Sequence, residues 1–220
     1  MSKVNSEKIL QVIEAALENR KERKFVESLE LQVMLRDYNP EREKRFNSTT
    51  ILHTPCRSNM KFAVIGTVAH YDQAKTLGVE ALNKDDLKKF NNEAKLIKKW
   101  ARKFDAILVS ESINKDVTKL IGRYITMIGK LPTPISERMT VTDKMEEMKK
   151  TIRFRVKKYP WVAQSFGIAT SNTEDLRHNL TKTINFLISL LQKDGKILRL
   201  FTSKPLWDRL KDSFNFLLIS

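Results

Sequence analysis

The 220-residue sequence has a single cysteine and no long apolar run, and these two absences exclude several classes of protein. Cys56 alone leaves no internal disulfide and no cage of cysteine metal ligands. The longest apolar stretch of note, NFLISLL at residues 185–191, is far too short to cross a bilayer, and MSKVNSEKIL lacks the apolar core of a signal peptide. We therefore expect a protein of a reducing, intracellular compartment without a membrane partner.

Acidic residues are scarce relative to basic ones. The sequence holds 41 Lys and Arg against 26 Asp and Glu, a net charge of +15. Such an excess attracts polyanions at long range, and nucleic acid is the expected partner because phosphate contacts supply much of the affinity. An acidic membrane surface is a weaker alternative, since no basic amphipathic helix with a bulky apolar face stands out.

The two ends of the chain carry complementary patterns, α-β-β at the start and β-β-α-β at the close. Neither pattern is expected to form a stable domain by itself. We therefore predict that residues 1–59 and 151–220 fold together as one split α+β sandwich with helices on one sheet face. The expected strands cover residues 25–36, 47–55, 151–158, 161–169 and 196–202, and the expected helices cover residues 6–19 and 171–193.

Residues 60–150 follow a different pattern. KFAVIG at 61–66 and FDAILVS at 104–110 are continuous apolar strands of the buried, parallel kind. A helix over 84–103 combines an apolar stripe with lysines on most of its remaining surface. Strand–helix–strand units of this type predict an inserted Rossmann-like α/β domain with helices on the faces of its sheet.

A nucleotide-dependent enzyme is the alternative that this middle region raises. Gly66 stands alone after the first strand, so the region lacks a G-x-G-x-x-G fingerprint. His53, His70 and His178 are scattered, and none lies at metal-ligand spacing from Cys56 or a carboxylate. We expect no catalysis, no cofactor and no metal, since a fold by itself supplies no active site.

Several segments occur in a recognisable order along the chain. They are KFVESLELQVMLRDYNPEREKRF, HTPCRSNMKFAVIG, KKWARKFDAILVSES, TIRFRVKK and NLTKTINFLISLLQK. Together they resemble the universal large-subunit ribosomal protein family that carries the mobile stalk beside the tRNA exit site, and the eukaryotic cytosolic branch is the nearer match. The resemblance covers roughly residues 1–204.

The resemblance implies the split architecture with its inserted domain. It also implies binding to the stalk region of large-subunit ribosomal RNA, contact with other ribosomal components, transient contact with exit-site tRNA, and no enzymatic activity. The expected location is the ribosome in the cytoplasm, after passage through the nucleolus during assembly. An RNA-binding translational regulator outside the ribosome is the alternative, because bacterial members can bind their own messenger RNA.

The opening strand supplies the first candidate RNA contacts. Carried over by position, the resemblance places them at Lys24, Phe25, Glu27 and Glu30. A carboxylate such as that of Glu30 can accept a hydrogen bond from a ribose 2′-hydroxyl. The alternatives are a solvated strand face for Glu30, core packing for Phe25, and an exposed strand-end position for Glu27.

Basic and hydroxyl side chains complete the candidate site. A simple placement puts the basic face of TIRFRVKK near the polar face of the opening strand, with a solvated face as the alternative. The closing FTSKPLWD replaces a family loop that presses on RNA, and it lacks that loop's methionine and glycine. The remaining candidates are Arg36, Arg153, Arg155, Lys157, Thr202, Ser203 and Lys204.

Two further segments depart from the family. GRYITMIGKLP keeps Gly122, Gly129, Lys130 and Pro132 but lacks a proline and a glycine that the family usually has in its first half. The tail PLWDRLKDSFNFLLIS has no counterpart in the family, and its apolar spacing predicts an amphipathic docking helix.

Overall fold

The computed structural model divides the chain into two compact units. Met1–Arg57 and Lys149–Ser220 form the split unit, and Ser58–Met148 form the inserted unit. The two divisions lie two residues before the expected boundaries. The residues described are 6–18, 24–35, 38–39, 41–42, 45–57, 59–90, 93–191, 198–203 and 216–218.

The described elements alternate between helices and strands along most of the chain. The α-helices are α1 (Ser6–Glu18), α2 (Val68–Thr76), α3 (Lys84–Lys88), α4 (Ala94–Arg102), α5 (Asn114–Val117), α6 (Arg123–Ile128), α7 (Val141–Lys150) and α8 (Thr173–Leu190). A 3-10 turn (Glu111–Ile113) precedes α5, and a π-helical turn (Thr118–Gly122) joins α5 to α6. The strands are β1 (Ser28–Leu35), β2 (Asn47–Ile51), β3 (Phe62–Ile65), β4 (Glu80–Leu82), β5 (Ala106–Ser110), β6 (Thr133–Ile135), β7 (Thr151–Arg155), β8 (Trp161–Ile168), β9 (Leu198–Ser203) and β10 (Phe216–Leu218).

The split unit contains a four-stranded antiparallel sheet of order β10-β9-β1-β8 and a separate antiparallel ribbon, β2-β7. Every second residue of β1, from Leu29 to Leu35, is buried, as the alternating sequence predicts. These side chains share one core with α1, α8 and the inward residues of the ribbon. The helices therefore cover one face of the sheet, and the other face of β1 carries Ser28, Glu30, Gln32 and Met34.

Asn179 on α8 joins the first and last thirds of the chain. Its side chain is fully buried, and its Oδ1 accepts the backbone N–H groups of His53 and Thr54 at 3.1 and 3.3 Å. Its Nδ2 donates to the Thr54 hydroxyl at 2.8 Å and to the Phe166 carbonyl at 3.0 Å. Because one buried amide satisfies groups on both parts of the chain, the split unit depends on residues from both ends.

The inserted unit is built on a four-stranded parallel sheet of order β4-β3-β5-β6, which confirms the predicted parallel sheet. Every residue of β3 and β5 is buried. Ile65 and Ile107 lie in a cluster with apolar residues of α3, α4 and α6 on one face, and Val64 and Leu108 lie in a second cluster with residues of α2 and α7 on the other. The sheet is therefore covered on both faces, as parallel sheets usually are.

The prediction of one continuous helix over 84–103 is wrong. The segment forms two helices, since α3 ends at Lys88 and α4 begins at Ala94. A capping box at Asn83 starts α3, and three-residue backbone turns follow its end. Asparagine is a poor residue for the interior of a helix, and the sequence has two consecutive asparagines at positions 91 and 92. The apolar stripe was nonetheless real, because Leu87, Ile97 and Ala101 are buried.

The sequence from Ser171 to Glu174 has the Ser-x-x-Glu pattern that predicts a capping box, but the start of α8 differs from it. Asn172 is the N-cap residue, and its side chain makes no capping hydrogen bond. The Glu174 carboxylate instead pairs with Arg177, which lies three residues along the helix at 2.7 Å. That ion pair occupies the carboxylate that a capping box would turn back towards the helix start.

The predicted tail helix is also wrong where the tail is described. Leu217 lies in β10, which pairs antiparallel with β9 and places Phe216 opposite Phe201. Trp207, Leu210 and Phe214, the other residues of the predicted helix, lie outside the described residues. The tail therefore adds a strand to the four-stranded antiparallel sheet of the split unit, the main sheet. Helical spacing alone does not indicate this role.

Candidate nucleic-acid interface

The polar face of the main sheet is the side of β1 that bears Glu30, Gln32 and Met34. It continues onto β8, which is antiparallel to β1. Because directly paired residues point to the same side of a sheet, the register extends the polar face across two strands. The pairs are Glu30 with Ser165, Gln32 with Ala163, and Met34 with Trp161.

Glu30 lies at the centre of the polar face and is half-buried. Its Oε2 and the Ser165 hydroxyl oxygen are both buried and have no hydrogen-bond partner among the described residues. Burial raises the pKa of the Glu30 carboxyl, and a hydrogen bond from Gln32 partly opposes that rise. The buried Oε2 therefore retains the capacity to accept a hydrogen bond.

The residues that precede β1 are arranged differently from the sequence prediction. Lys24 and Phe25 are exposed, and Phe25 shows 52% of its surface. Core packing is thus wrong for Phe25, because β1 begins only at Ser28 and the strand alternation does not extend back to residue 25. Glu27 is buried at 6% exposure, so its expected position at an exposed strand end is also wrong.

The basic row consists of Arg153 and Arg155 on β7 and Lys157 just after it, and its side chains project outward. Arg153, Arg155 and Lys157 are exposed, and the alternating residues Ile152 and Phe154 are buried in the core. The sequence predicts that the basic face of this strand lies near the polar face of β1. Strand pairing does not bring them together, because β7 pairs with β2 and not with a strand of the main sheet. The strand pairing brings Arg153 to β2, where its Nε donates to Asn47 Oδ1 at 2.7 Å.

Arg155 and Lys157 reach the main sheet through the turn that follows β7. A groove of about 200 Å³ is lined by Arg155, Lys157, Tyr159, Trp161, Val162 and Ala163. The Pro160 carbonyl accepts the Leu35 N–H at 2.7 Å and so fixes this turn to the end of β1. The groove thereby joins two of the expected phosphate-binding residues to the polar face.

The aromatic residues of this groove were missed by the sequence reasoning. Tyr159 is 67% exposed and Trp161 is 53% exposed. A signal was available, because the odd-numbered positions of RFRVKKYPW carry basic and then aromatic residues from Arg153 to Trp161. The predicted strand over residues 151–158 stops short of Pro160, so that prediction does not include the two aromatic residues.

The remaining candidates come from the closing strand and its neighbours. Thr202 and Ser203 lie in β9, and Ser203 pairs with Glu30 while Thr202 pairs with Leu31. The register therefore puts Ser203 at a position of the polar face beside Glu30. Thr202, also expected to contact RNA, is at a position of the opposite face, that of the buried Leu31. Arg36 and Lys204 lie outside the described residues.

The carboxyl ends of β3 and β5 are the place where an α/β sheet of this order would hold a nucleotide, because the connections diverge there. In this chain the Ser110 hydroxyl binds the Thr67 N–H at 3.2 Å and His70 Nδ1 at 2.6 Å. A Cβ on Gly66 would meet the His70 Cβ at 2.8 Å. Protein atoms therefore fill the space between these strand ends.

Metal centres and membrane spans are two further features on which the described ranges bear. Within those ranges, no three His, Cys, Asp or Glu side chains form a group that could hold a metal ion. Of the helices that the structure describes, none has the length and apolar character needed to span a bilayer.

Comparison with known proteins places these features in context. Residues 16–204 match the model of the Ribosomal protein L1p/L10e family. The chain is 40% identical over 196 residues to the large ribosomal subunit protein uL1 of Neurospora crassa, covering 88% of the chain and 90% of that protein. It is 40% identical over 195 residues to uL1A of Schizosaccharomyces pombe, covering 88% and 90%, and 37% identical over 200 residues to uL1 of Spodoptera frugiperda, covering 90% and 92%.

Proposed function

Because the chain belongs to the ribosomal protein L1 family, we propose that it is a structural constituent of the large ribosomal subunit and binds ribosomal RNA of the stalk. The family is structural and not enzymatic. Relatives from fungi and an insect are named as large ribosomal subunit proteins, which implies a ribosomal, cytosolic location. Passage through the nucleolus during assembly is part of the proposal.

The split unit is the proposed RNA-binding domain. It carries 25 Lys and Arg against 14 Asp and Glu, a net charge of +11. The observation that carries the proposal is the outward basic row of Arg153, Arg155 and Lys157, held in place by the buried residues between them. Positive side chains fixed on a rigid strand can neutralise phosphates at defined positions, and phosphate contacts position a protein on its nucleic acid.

The polar face supplies a second kind of contact in this proposal. Glu30 Oε2 and the Ser165 hydroxyl lack partners among the described residues, and an unsatisfied buried polar group costs on the order of 1–3 kcal/mol. A ribose 2′-hydroxyl both donates and accepts hydrogen bonds, so it can serve a carboxylate and a serine hydroxyl alike. The acidic Glu30 can therefore contribute to RNA recognition beside a basic row.

The inserted unit is the proposed mobile part. It is joined to the split unit by two connections, after Arg57 and after Met148. Rotation of one unit as a body on a pair of connections is a common form of hinge motion. We propose that this motion assists the release of deacylated tRNA from the exit site, and that exit-site tRNA is a transient partner.

Salt-dependent RNA binding tests the proposal. The purified chain is expected to bind a large-subunit stalk RNA fragment in preference to an unrelated duplex, with a slope of log affinity against log salt of about −2 or steeper for three phosphate contacts. Binding that ignores salt or that treats both RNAs equally would contradict the proposal. Sedimentation of lysate separates ribosomal from regulatory roles, since a ribosomal constituent is present in large subunits at one copy per particle.

Release of tRNA requires a separate measurement. Large subunits that lack this chain and the same subunits with the chain restored are loaded with deacylated tRNA in the exit site. We expect slower tRNA dissociation without the chain. Equal dissociation rates would remove tRNA release from the proposed function and leave the RNA-binding role in place.

A further inference from the structure

We propose that the groove beside β7 and β8 binds an unstacked base from a single-stranded segment of the RNA that the split unit holds. The groove is lined by Arg155, Lys157, Tyr159, Trp161, Val162 and Ala163. This inference rests on the proposed RNA-binding function and specifies the kind of RNA element that one part of the interface takes.

The exposure of two large aromatic rings is the first step of the argument. Trp161 and Tyr159 each present more than half of their surface to solvent, although both rings have extensive apolar faces. Single-stranded RNA is recognised mainly by stacking of splayed bases on such rings. The stack is tolerant of sequence because every base has a π face, so an exposed indole is a suitable platform.

The charge of the groove favours RNA over a protein partner. Arg155 and Lys157 are exposed and line the same groove as the rings, and the lining contains no acidic residue. A nucleotide brings a phosphate for the cationic groups together with a base for the aromatic rings. An apolar protein surface would bury the rings but leave the guanidinium and ammonium groups without compensating charge.

The size of the groove agrees with a single base. Its volume of about 200 Å³ is below the roughly 300–1,000 Å³ that is typical of pockets for whole small molecules. An isolated ligand would therefore be held poorly. A base that belongs to a longer bound RNA needs only one stacking surface, because the rest of the RNA is anchored elsewhere.

The register places the groove in line with the polar face. Trp161 lies four residues along β8 from Ser165, the partner of Glu30, which is about 13 Å of extended strand. At about 3.4 Å per stacked nucleotide this distance spans about four nucleotides. One RNA strand of that length can thus contact both Glu30 and the groove.

Substitution of Trp161 provides the test. The probes are a stalk RNA fragment from a fungal large subunit, with its unpaired nucleotides, and a version in which those nucleotides are base-paired. We expect Trp161→Ala to weaken binding of the first RNA about tenfold and to leave binding of the paired version within about twofold. Trp161→Phe is expected to retain most of the affinity, because a phenyl ring still stacks.

Controls separate a lost contact from a lost fold. Leu131→Ala removes an apolar side chain that is 56% exposed on the inserted unit. This variant is expected to bind both the unpaired and the paired RNA with unchanged affinity. Thermal unfolding verifies that Trp161→Ala folds. The difference in fluorescence between the unchanged chain and Trp161→Phe isolates Trp161, and RNA is expected to quench that signal even if the alanine variant is unstable.

The outcomes distinguish this inference from the function on which it rests. Equal RNA binding by the unchanged chain and Trp161→Ala, with no quenching, overturns the groove assignment alone. Loss of incorporation into large subunits with unchanged RNA affinity would show a protein occupant and also overturn it. Failure of the unchanged chain to bind the stalk fragment overturns the proposed function and this inference together.

Discussion

The two units of this chain use their sheets in opposite ways. In the split unit, β1 alternates between buried and accessible residues, and the helices share a core with only one of its faces. In the inserted unit, every residue of β3 and β5 is buried, and apolar clusters lie on both faces. A sheet that keeps one polar face can bind a partner with strand residues, whereas a sheet covered on both sides must use its helices and loops.

The distribution of charge follows the same division. The split unit has a net charge of +11, and the inserted unit has 16 Lys and Arg against 12 Asp and Glu, a net charge of +4. In the inserted unit Lys84, Lys88 and Lys89 each pair with an aspartate at 2.5–2.7 Å. The many lysines of that unit are therefore a weaker indication of RNA binding than Arg153 and Arg155 on β7 and Lys157 just after it.

The largest expected effect tests whether the two units are energetically separate. Ile107 is fully buried in β5, so Ile107→Ala should lower the free energy of unfolding of the inserted unit by roughly 2–5 kcal/mol. We expect RNA affinity to stay within about twofold of the unchanged chain. Chemical denaturation and RNA titration measure the two quantities.

The matched variant for this comparison is Leu31→Ala in β1. Leu31 is buried to a similar degree but in the core of the split unit, so the same truncation should destabilise the unit that binds RNA. Equal loss of RNA affinity in both variants, under conditions where each is folded, would break the comparison between the units.

Charge reversal on β7 is expected to have the next largest effect. Arg153→Glu combined with Arg155→Glu should weaken stalk RNA binding by about 100-fold or more, because two phosphate contacts of at least about 1.5 kcal/mol each are lost. The salt dependence should become shallower by about 1.4 in slope. Both residues are exposed, so the thermal unfolding midpoint should change little.

Lys95→Glu combined with Lys99→Glu is the control for this prediction. These residues are exposed on α4 of the inserted unit, and their reversal changes the net charge by the same amount. A loss of affinity as large as that of the β7 variant would show that total charge, and not the position of the basic row, determines RNA binding.

Truncation of Asn179 tests the connection between the two chain ends. Asn179→Ala leaves the N–H groups of His53 and Thr54 and the Phe166 carbonyl without their side-chain partner, which should cost about 2 kcal/mol of stability in the split unit. Denaturation curves provide the measurement. Asn185→Ala, an exposed position on the same helix, is expected to be nearly neutral, and equal effects of the two variants would contradict this role.

The smallest expected effect concerns Glu30. Glu30→Gln should weaken RNA binding about fivefold, the loss of one hydrogen bond of about 1 kcal/mol. The same substitution should raise stability at neutral pH, because burial raises the pKa of this carboxyl in the folded state. RNA titration and denaturation at several pH values test both parts.

The pH dependence has a definite sign. A carboxyl with a raised pKa contributes most to stability below its ordinary value of 4.5, and this contribution is lost as pH rises through the folded-state pKa. The stability gained by Glu30→Gln over the unchanged chain should therefore grow as pH rises from 4.5 through the folded-state pKa. Glu14→Gln on the exposed side of α1 is the control, and an identical pH profile for both variants would argue against a buried Glu30.

Periodicity predicted the elements whose burial repeats regularly. The alternation from Leu29 to Leu35 identified β1, and the continuous apolar run from Ala106 to Val109 identified β5. Both follow directly from which side chains a strand must bury. Helix α2 was missed because only His70 and Ala74 are buried on it, so it lacks an apolar stripe.

Sequence periodicity predicted only part of the candidate site. The polarity of Glu30 and the outward row on β7 were evident from alternation within each strand. Pairing between strands depends on tertiary contacts, so the sequence did not reveal that β7 pairs with β2 or that Trp161 lies opposite Met34. Burial of Glu27 was likewise unpredictable, since a carboxylate is seldom buried and its enclosure depends on the fold around it.

A density map of the large ribosomal subunit with this chain bound tests the central claim most directly. The account predicts ribosomal RNA against the polar face at Glu30 and the basic row of β7, with a base seated beside Trp161. RNA held mainly by the helices of the inserted unit, with the polar face and groove bare, would contradict the account.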